Sequence, residues 1–230
     1  MRYVGSKRRL GKYILPFIKE ALMRYPDAAY IEPFAGGCNM ISQVEHHTRI
    51  GYDGNQHLIA LLTQNQQNPE AIRNAVCPSK DAFDYIKNNK DQFADWYVGA
   101  AGFLPTYSNK WMQSYNEHNC SGTFTSSSRT LLKQNLAGIQ LIHGDYKSIP
   151  VGMNNIIYCD PPYKHYDFYH IPFNHDEFCN WVRSVSKHNI VFVSEYEMPD
   201  DFACIMSVTI KPGINRAARP REEKLFMYKG

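Results

Sequence analysis

Four consecutive residues, Asp160-Pro161-Pro162-Tyr163, combine a carboxylate, a carbonyl with no N–H beside it, a stiffened turn and a flat ring. That set suits a planar group carrying an exocyclic NH2. Asp160 and the Pro161 carbonyl accept its two protons while the Tyr163 ring stacks on its face. The apolar run ahead of the motif, Asn155-Ile156-Ile157-Tyr158-Cys159, reads as a buried strand. Proline cannot donate to a ladder, so the strand stops at about Asp160. The carboxylate then sits at a strand's carboxyl end, where open α/β sheets bind ligands. Taken alone, the motif is also compatible with a surface turn after a core strand.

Three further stretches bear on that choice. Tyr3, Gly5 and Lys7 lie in a loop ahead of a helix that Ser6 caps and that runs to about Arg24. A helix N-terminus with a lysine beside it favours an anion. The run Ala29-Tyr30-Ile31-Glu32-Pro33-Phe34-Ala35-Gly36-Gly37 is a strand entering a glycine turn, with Met40, Ile41 and Val44 suggesting a helix after it. It is neither a dinucleotide fingerprint nor a Walker motif. Arg49 to Asp53 reads as a second strand ending in an acid, with Asn55 capping the next helix through Leu58, Ile59 and Leu62. An acid there is placed to bind ribose hydroxyls, although Asp53 could simply cap that helix. Strand, glycines, helix, strand and acid together favour a nucleoside ligand.

The alternation of strand and helix breaks between Asn65 and about Leu136. Residues 69–101 look helical, with Ile72, Val76, Phe83, Ile86, Phe93, Trp96 and Val98 expected inward. Residues 105–124 are polar and aromatic, and a helix is expected to start at Thr125-Ser126-Ser127-Ser128. Asn109, Lys110, Tyr115 and Arg129 are of the types that read base edges and phosphates, which makes them candidate DNA contacts. An irregular loop of no function fits the composition equally well. The sheet resumes with Ile139 to Ile142, the central strand before Asp160, a helix over 174–187, the strand Ile190 to Val193, and a final pair near Cys204–Ile210 and Lys224–Tyr228. Lys211, Arg216, Arg219 and Arg221 make the connection between that pair basic.

At 230 residues and 43% hydrophobic content the chain can bury one sizeable core with a small insertion. No apolar stretch is long enough to span a bilayer, and the basic N-terminus lacks the apolar run of a signal peptide. The six cysteines form no Cys-x-x-Cys pair, and His165 and His170 have no further ligands at helical spacing, so no metal is expected. A reduced, cytoplasmic protein is the natural inference. The net charge of +3 permits a polyanionic partner without demanding one.

In this order and spacing the motifs Arg2-Tyr3-Val4-Gly5-Ser6-Lys7, Glu32-Pro33-Phe34-Ala35-Gly36-Gly37, Tyr52-Asp53, Gly144-Asp145-Tyr146 and Asp160-Pro161-Pro162-Tyr163 are highly specific. The chain resembles the Dam-type (D12 class) N6-adenine DNA methyltransferases, most of all the phage and prophage members. The resemblance implies an α/β fold: a Rossmann-like, mostly parallel seven-stranded methyltransferase sheet with a small, mainly helical target-recognition domain inserted in it. Residues 1–63 and 138–230 would form the catalytic domain and residues 64–137 the insert. The resemblance implies S-adenosylmethionine as methyl donor and double-stranded DNA as partner, in a bacterial or phage-infected cell. By position Tyr3 and Lys7 match the cofactor loop, Phe34, Ala35 and Gly36 the glycine motif around the methionine part, and Asp53 the ribose-binding acid. Asp145 and Tyr146 match the segment that holds the cofactor's adenine. Asp160 and Tyr163 match the catalytic motif, and Asp160 also lies against the cofactor. Cys38 departs from the pattern, since many relatives carry a third glycine there.

The residue chemistry agrees. The adenine amine is a poor nucleophile because its lone pair is delocalised into the ring. Acceptors at Asp160 and Pro161 favour a pyramidal nitrogen as the transition state forms. The base must leave the duplex to be reached, with Tyr163 as its stacking wall. An RNA or protein amide methyltransferase would share the cofactor site but often carries Asn in place of Asp160. A DNA-binding module without catalysis would not need an intact Asp160–Tyr163 motif, and a dehydrogenase would need the missing fingerprint. A monomer is expected. The recognition sequence and a partner restriction endonuclease stay open.

Overall fold

The computed structural model describes residues 1, 3–164, 173–210 and 221–230. The loop carrying His165 and His170, the basic stretch with Lys211, Arg216 and Arg219, and Arg2 lie outside the described residues.

Seven strands form one sheet: β1 (Tyr30–Glu32), β2 (Arg49–Asp53), β3 (Ile139–His143), β4 (Ile156–Cys159), β5 (Ile190–Glu195), β6 (Phe202–Ile210) and β7 (Arg221–Tyr228). Their order is β3-β2-β1-β4-β5-β7-β6. The first five run parallel, and β7 lies antiparallel between β5 and β6. The order reverses between β1 and β4, which pair through Tyr30 with Ile156 and Ile31 with Ile157. A crevice opens at such a reversal, outside the carboxyl ends of the strands. Here those ends carry Glu32-Pro33-Phe34 and Asp160-Pro161-Pro162.

Helix α1 (Gly11–Arg24) buries Ile14, Ile18 and Leu22, the stripe that the sequence spacing predicts. Ser6 does cap a helical start, but that of a short 3-10 turn over Lys7–Arg9, which places Lys7 inward before α1 begins. Helix α2 (Gln56–Gln67) starts at Asn55, whose side chain accepts from the His57 and Leu58 amides. The helix expected around Met40 to Val44 is only a 3-10 turn over Ile41–Gln43. Three buried residues there satisfy a core without a second helical turn to continue it.

Between α2 and β3 lie α3 (Pro69–Arg73), α4 (Lys80–Asn88), α5 (Asp95–Phe103) and α6 (Cys120–Leu132). Phe83, Ile86, Val98, Ala101 and Met112 close a small core of their own. Ile72, Ala100, Phe103, Phe124 and Leu131 join the main core beneath the sheet. Helix α5 lies close against α2, where a Cβ on Gly99 would come within 2.2 Å of the His57 carbonyl oxygen. Val76, expected inward, is 73% exposed, since it falls in the connection between α3 and α4. Helix α6 starts five residues ahead of the Thr-Ser-Ser-Ser run, at the Asn119 cap. Inside the helix the hydroxyls of Ser128 and Thr130 donate to the carbonyls of Phe124 and Ser126, so they do not compete for a cap. Helix α7 (His175–Val185) covers the other face of the sheet with Phe178 and Val182. Among the described residues no helix is long and apolar enough to cross a membrane.

Candidate active site

Asp160 follows β4 directly, and its neighbour Pro161 is buried. The Lys7 ammonium lies 2.9 Å from Asp160 Oδ1, with the lysine only 6% and the aspartate 21% exposed. Lys7 also donates to the Gly5 carbonyl at 3.2 Å and sits 4.3 Å from the centroid of the Tyr163 ring. The N-terminal loop is thereby tied to both ends of the Asp160–Tyr163 motif. Burial raises the Asp160 carboxyl above the usual range, and the adjacent Lys7 pulls it back down.

More carboxyl groups surround this pair than the motifs suggest. Glu32, at 2% exposure, accepts a 2.7 Å hydrogen bond from the Tyr30 hydroxyl, and burial pushes it up to about 8, assisted by the charge of Asp160. Burial likewise pushes Glu195, which accepts from the Tyr196 amide at 2.8 Å, up to about 7. Burial therefore favours the protonated form of both, while Asp160, also raised by burial, is the one of the three with the Lys7 ammonium in direct contact.

The glycine turn is built against the same loop. Gly36 has φ +49°, and a Cβ there would lie 2.8 Å from Cε1 of Tyr3. Cys38, in the place of a family glycine, itself takes the left-handed conformation at φ 54° and is fully buried. Asp53 joins the turn to α2: its Oδ2 accepts from the Gly36 amide at 3.0 Å and its Oδ1 from the Asn55 amide at 2.9 Å. Burial raises the Asp53 carboxyl and the two amides lower it. Gln134, after α6, donates to the Gly37 carbonyl at 2.8 Å. Phe34 packs on Tyr146 with ring centroids 5.3 Å apart, bringing the glycine motif against the segment after β3. Asp145 accepts from the Lys147 amide at 2.9 Å and is exposed.

A cavity of about 600 Å³ connects these pieces. Tyr3, Lys7, Phe34, Ala35, Gly36, Asp53, Asp145, Tyr146 and Asp160 all line it, so nine residues read from separate motifs meet in one space. Its far wall comes from the segment before α6, through Lys110 and Trp111. The rings of Tyr3, Phe103 and Trp111 pass in sequence from the N-terminal loop to that wall, with centroids 6.0 and 4.8 Å apart.

Of the four expected DNA contacts, Arg129 is exposed on α6 beside Ser126 and Lys133 in a shallow depression, and Lys110 is half-buried at the cavity. Asn109 is 2% exposed; its amide donates to the Phe103 carbonyl at 2.9 Å and accepts from Ser127 at 3.4 Å. Tyr115 donates to the Pro78 carbonyl at 2.7 Å and packs on Phe83. The structure thus places Asn109 and Tyr115 as braces within residues 64–137, and Lys110 and Arg129 toward accessible surfaces. Among the described residues no group of three or more His, Cys, Asp or Glu side chains is placed to hold a metal ion.

A profile of the D12 class N6 adenine-specific DNA methyltransferases matches residues 3–119. The chain belongs to this family. The match runs from Tyr3 through the glycine turn and Asp53 to the start of α6, so it identifies the methyltransferase from its first half. The methyltransferase has no match among curated protein sequences. Among solved structures it is similar to the rRNA methyltransferase aviRa of Streptomyces viridochromogenes, with 13% identity, 96% of this chain and 85% of that one covered, and a TM-score of 0.42. It is also similar to HI0767 of Haemophilus influenzae, described as a methylase, with 9% identity, 93% and 86% covered, and a TM-score of 0.36. At such values the likeness is one of broad outline.

Glu32, Gln134 and Glu195 have no role assigned from sequence, although each lies in a stretch that the family resemblance covers: Glu32 at the head of the glycine motif, Gln134 in Leu131-Leu132-Lys133-Gln134 and Glu195 in Val193-Ser194-Glu195-Tyr196.

Proposed function

We propose that this enzyme transfers a methyl group from S-adenosylmethionine to N6 of an adenine turned out of double-stranded DNA, with Asp160 and the Pro161 carbonyl holding the amine and Tyr163 stacking on the base. The observation that carries the reading is the Lys7–Asp160 pair at 2.9 Å, set at the sheet's reversal point in a cavity shared with the glycine turn and Asp53.

The residues fit such a donor. Bound there, S-adenosylmethionine supplies an electrophilic methyl group on a positively charged sulfur. The cavity offers carboxylates at Asp53 and Asp160 for positive charge and for hydroxyls, and the Phe34–Tyr146 pair for a flat heterocycle. Tyr3 and Lys7 would hold the methionine end, and Ala35 and Gly36 let it approach the backbone.

Lys7 occupies Asp160 Oδ1, so Oδ2 and the Pro161 carbonyl are the acceptors for the two N6 protons. Holding both protons directs the nitrogen lone pair out of the base plane, toward the methyl group. As the new N–C bond forms, the sulfur–methyl bond would break with its electron pair left on sulfur, and the nitrogen would give up one proton to Asp160 Oδ2, passing from amine to methylamine. Lys7 favours the ionised form of Asp160 for this, against the larger upward pull of burial. Holding amine and methyl in line supplies the rest of the advantage.

Residues 64–137 would act as the target-recognition insert, with Lys110 and Arg129 on the phosphates or on guanine edges, and Asn109 and Tyr115 shaping their support. The ordered motif set supports a place among phage and prophage members, acting as a monomer in the cytoplasm, alone or beside a restriction endonuclease. The test supplies methyl-labelled S-adenosylmethionine with duplex DNA, RNA or protein. Label is expected at adenine N6 of duplex DNA; label in RNA or protein alone would reject the reading.

A further inference from the structure

Strands β4, β5 and β7 lie side by side, and each brings a side chain to one spot next to Asp160. Tyr163 follows β4, Tyr196 follows β5, and Glu223 lies within β7. The Glu223 carboxylate takes one hydroxyl on each oxygen: Tyr163 donates to Oε2 at 3.1 Å and Tyr196 to Oε1 at 3.5 Å. The two rings meet edge to face, with centroids 4.7 Å apart and planes at 88°. Lys7 adds its ammonium at 4.3 Å from the Tyr163 ring centroid.

These contacts restrain the Tyr163 ring from different sides. Its hydroxyl is tied to Glu223 and also interacts with Asp160, Tyr196 meets it at right angles, and an ammonium lies over it. A tyrosine after a strand end would otherwise sample several ring orientations, whereas a stacked base needs one plane. The anchor itself is well held. Glu223 is opposite Val208 in β6, and the next residue, Lys224, is opposite Glu195 in β5, so β7 is paired on both sides at this point. Moreover, Glu223 lies near enough to Asp160 to raise that carboxyl, which works against its ionised form. A second carboxylate in this place opposes catalysis electrostatically unless its acceptor role offsets that cost. A carboxylate can take both hydroxyls at once with charge-assisted bonds; an apolar residue can take neither.

We propose that Glu223 is a positioning residue for methyl transfer, fixing the plane of Tyr163 through the two tyrosine hydroxyls and so setting how the target base is received. This rests on the reading of Tyr163 as the stacking wall. Glu223 touches neither base nor donor in this role.

The test is a double-mutant cycle in the full chain, with duplex DNA carrying 2-aminopurine at the mapped target position. Fluorescence reports the base leaving the stack, and steady-state rates separate kcat from the DNA KM. Tyr163→Phe and Glu223→Ala should each lower kcat/KM by roughly tenfold, the scale of one charge-assisted hydrogen bond. The double variant should be no worse than either single one. Affinity for S-adenosylmethionine should stay unchanged in all three, which a general loss of structure would not allow. Glu222→Ala, next along β7 and bonded to Ser207, should match the parent. If Glu223→Ala does not fold, Glu223→Gln carries the same cycle, with smaller losses and the same non-additivity. Tyr163→Ala separates the two readings. If it leaves flipping and turnover intact, the stacking wall itself is wrong. If it impairs both while Glu223→Ala behaves as the parent, or while the two losses multiply, the positioning role is overturned and the wall stands.

Discussion

The Lys7 ammonium and Asp160 Oδ1, 2.9 Å apart, connect the first turn of the chain to the end of the central strand. In the proposed reaction the pair would govern the charge of the carboxylate that receives the amine. Burial raises the Asp160 carboxyl and Lys7 lowers it, so Lys7→Met lets it rise further. In the proposed mechanism the ionised form accepts from N6, so the acid limb of the kcat profile should move to higher pH in Lys7→Met. A pH profile from acid to alkaline conditions measures this; an unmoved limb means that Lys7 does not govern the state of Asp160.

Asp53 has a double task. Its two oxygens hold the Gly36 and Asn55 amides, and it lines the cavity. Asp53→Ala should therefore weaken S-adenosylmethionine binding and also destabilise the fold, by about 2 kcal/mol for lost bonds to a charged acceptor. In a chain of this size that is a fall of roughly 4–8 °C in Tm. Calorimetric titration and thermal melting check the two halves. Unchanged affinity with a lowered Tm would leave Asp53 as a brace alone.

Glu32 gives stability a pH dependence of known sign. Its folded pKa, about 8, lies above the ordinary 4.5, so the native protein keeps a proton that the unfolded chain releases. The group's contribution is complete below about 4.5 and is lost as pH rises toward 8. Glu32→Gln keeps an acceptor for the Tyr30 hydroxyl and cannot ionise. The Tm of the variant relative to the parent should rise steadily between roughly pH 5 and pH 9. A constant difference would show that Glu32 is ionised throughout.

Arg129 and Asn109 should separate cleanly. Arg129→Ala should lower DNA affinity and reduce the slope of log K against log salt by about 0.9, the share of one phosphate contact. Asn109→Ala should lower stability by about 1–3 kcal/mol, because it leaves buried partners at Phe103 and Ser127 unsatisfied. Binding isotherms at several salt concentrations, alongside denaturant melts, decide this. A full salt slope in Arg129→Ala would move the phosphate contact elsewhere.

Strand ends were the most legible part of this chain. Glu32 and Asp160 close short strands buried along their length, Asp53 closes one that is only partly buried, and each stands at a carboxyl end in the structure. The shared cavity follows from that, because parallel strands present their ends on one edge. Helix starts were less legible. The run Thr125-Ser126-Ser127-Ser128 resembles a helix start in sequence, yet it lies inside α6, where the Ser128 hydroxyl donates backward to the Phe124 carbonyl. The contacts that refine the site were hidden for a different reason. Gln134 and Glu223 lie in stretches that match the family, but what they touch, the Gly37 carbonyl and the Tyr163 and Tyr196 hydroxyls, depends on packing between distant segments that a local match does not reveal. Asn109 was hidden likewise, since a polar residue in a polar stretch looks the same whether it faces solvent or braces a turn.

The acceptor role of Asp160 is the claim on which the chemistry depends, and Asp160→Ala tests it most directly. The measurement follows labelled methyl transfer to duplex DNA and 2-aminopurine fluorescence at the target position in the same preparation. The DNA should still bind and the base should still leave the stack, since those contacts come from other residues. Transfer should fall by a factor on the order of 10²–10³ or more, the scale seen when an aligned electrostatic partner is removed. Turnover close to that of the parent enzyme would contradict the account, whatever the fluorescence showed.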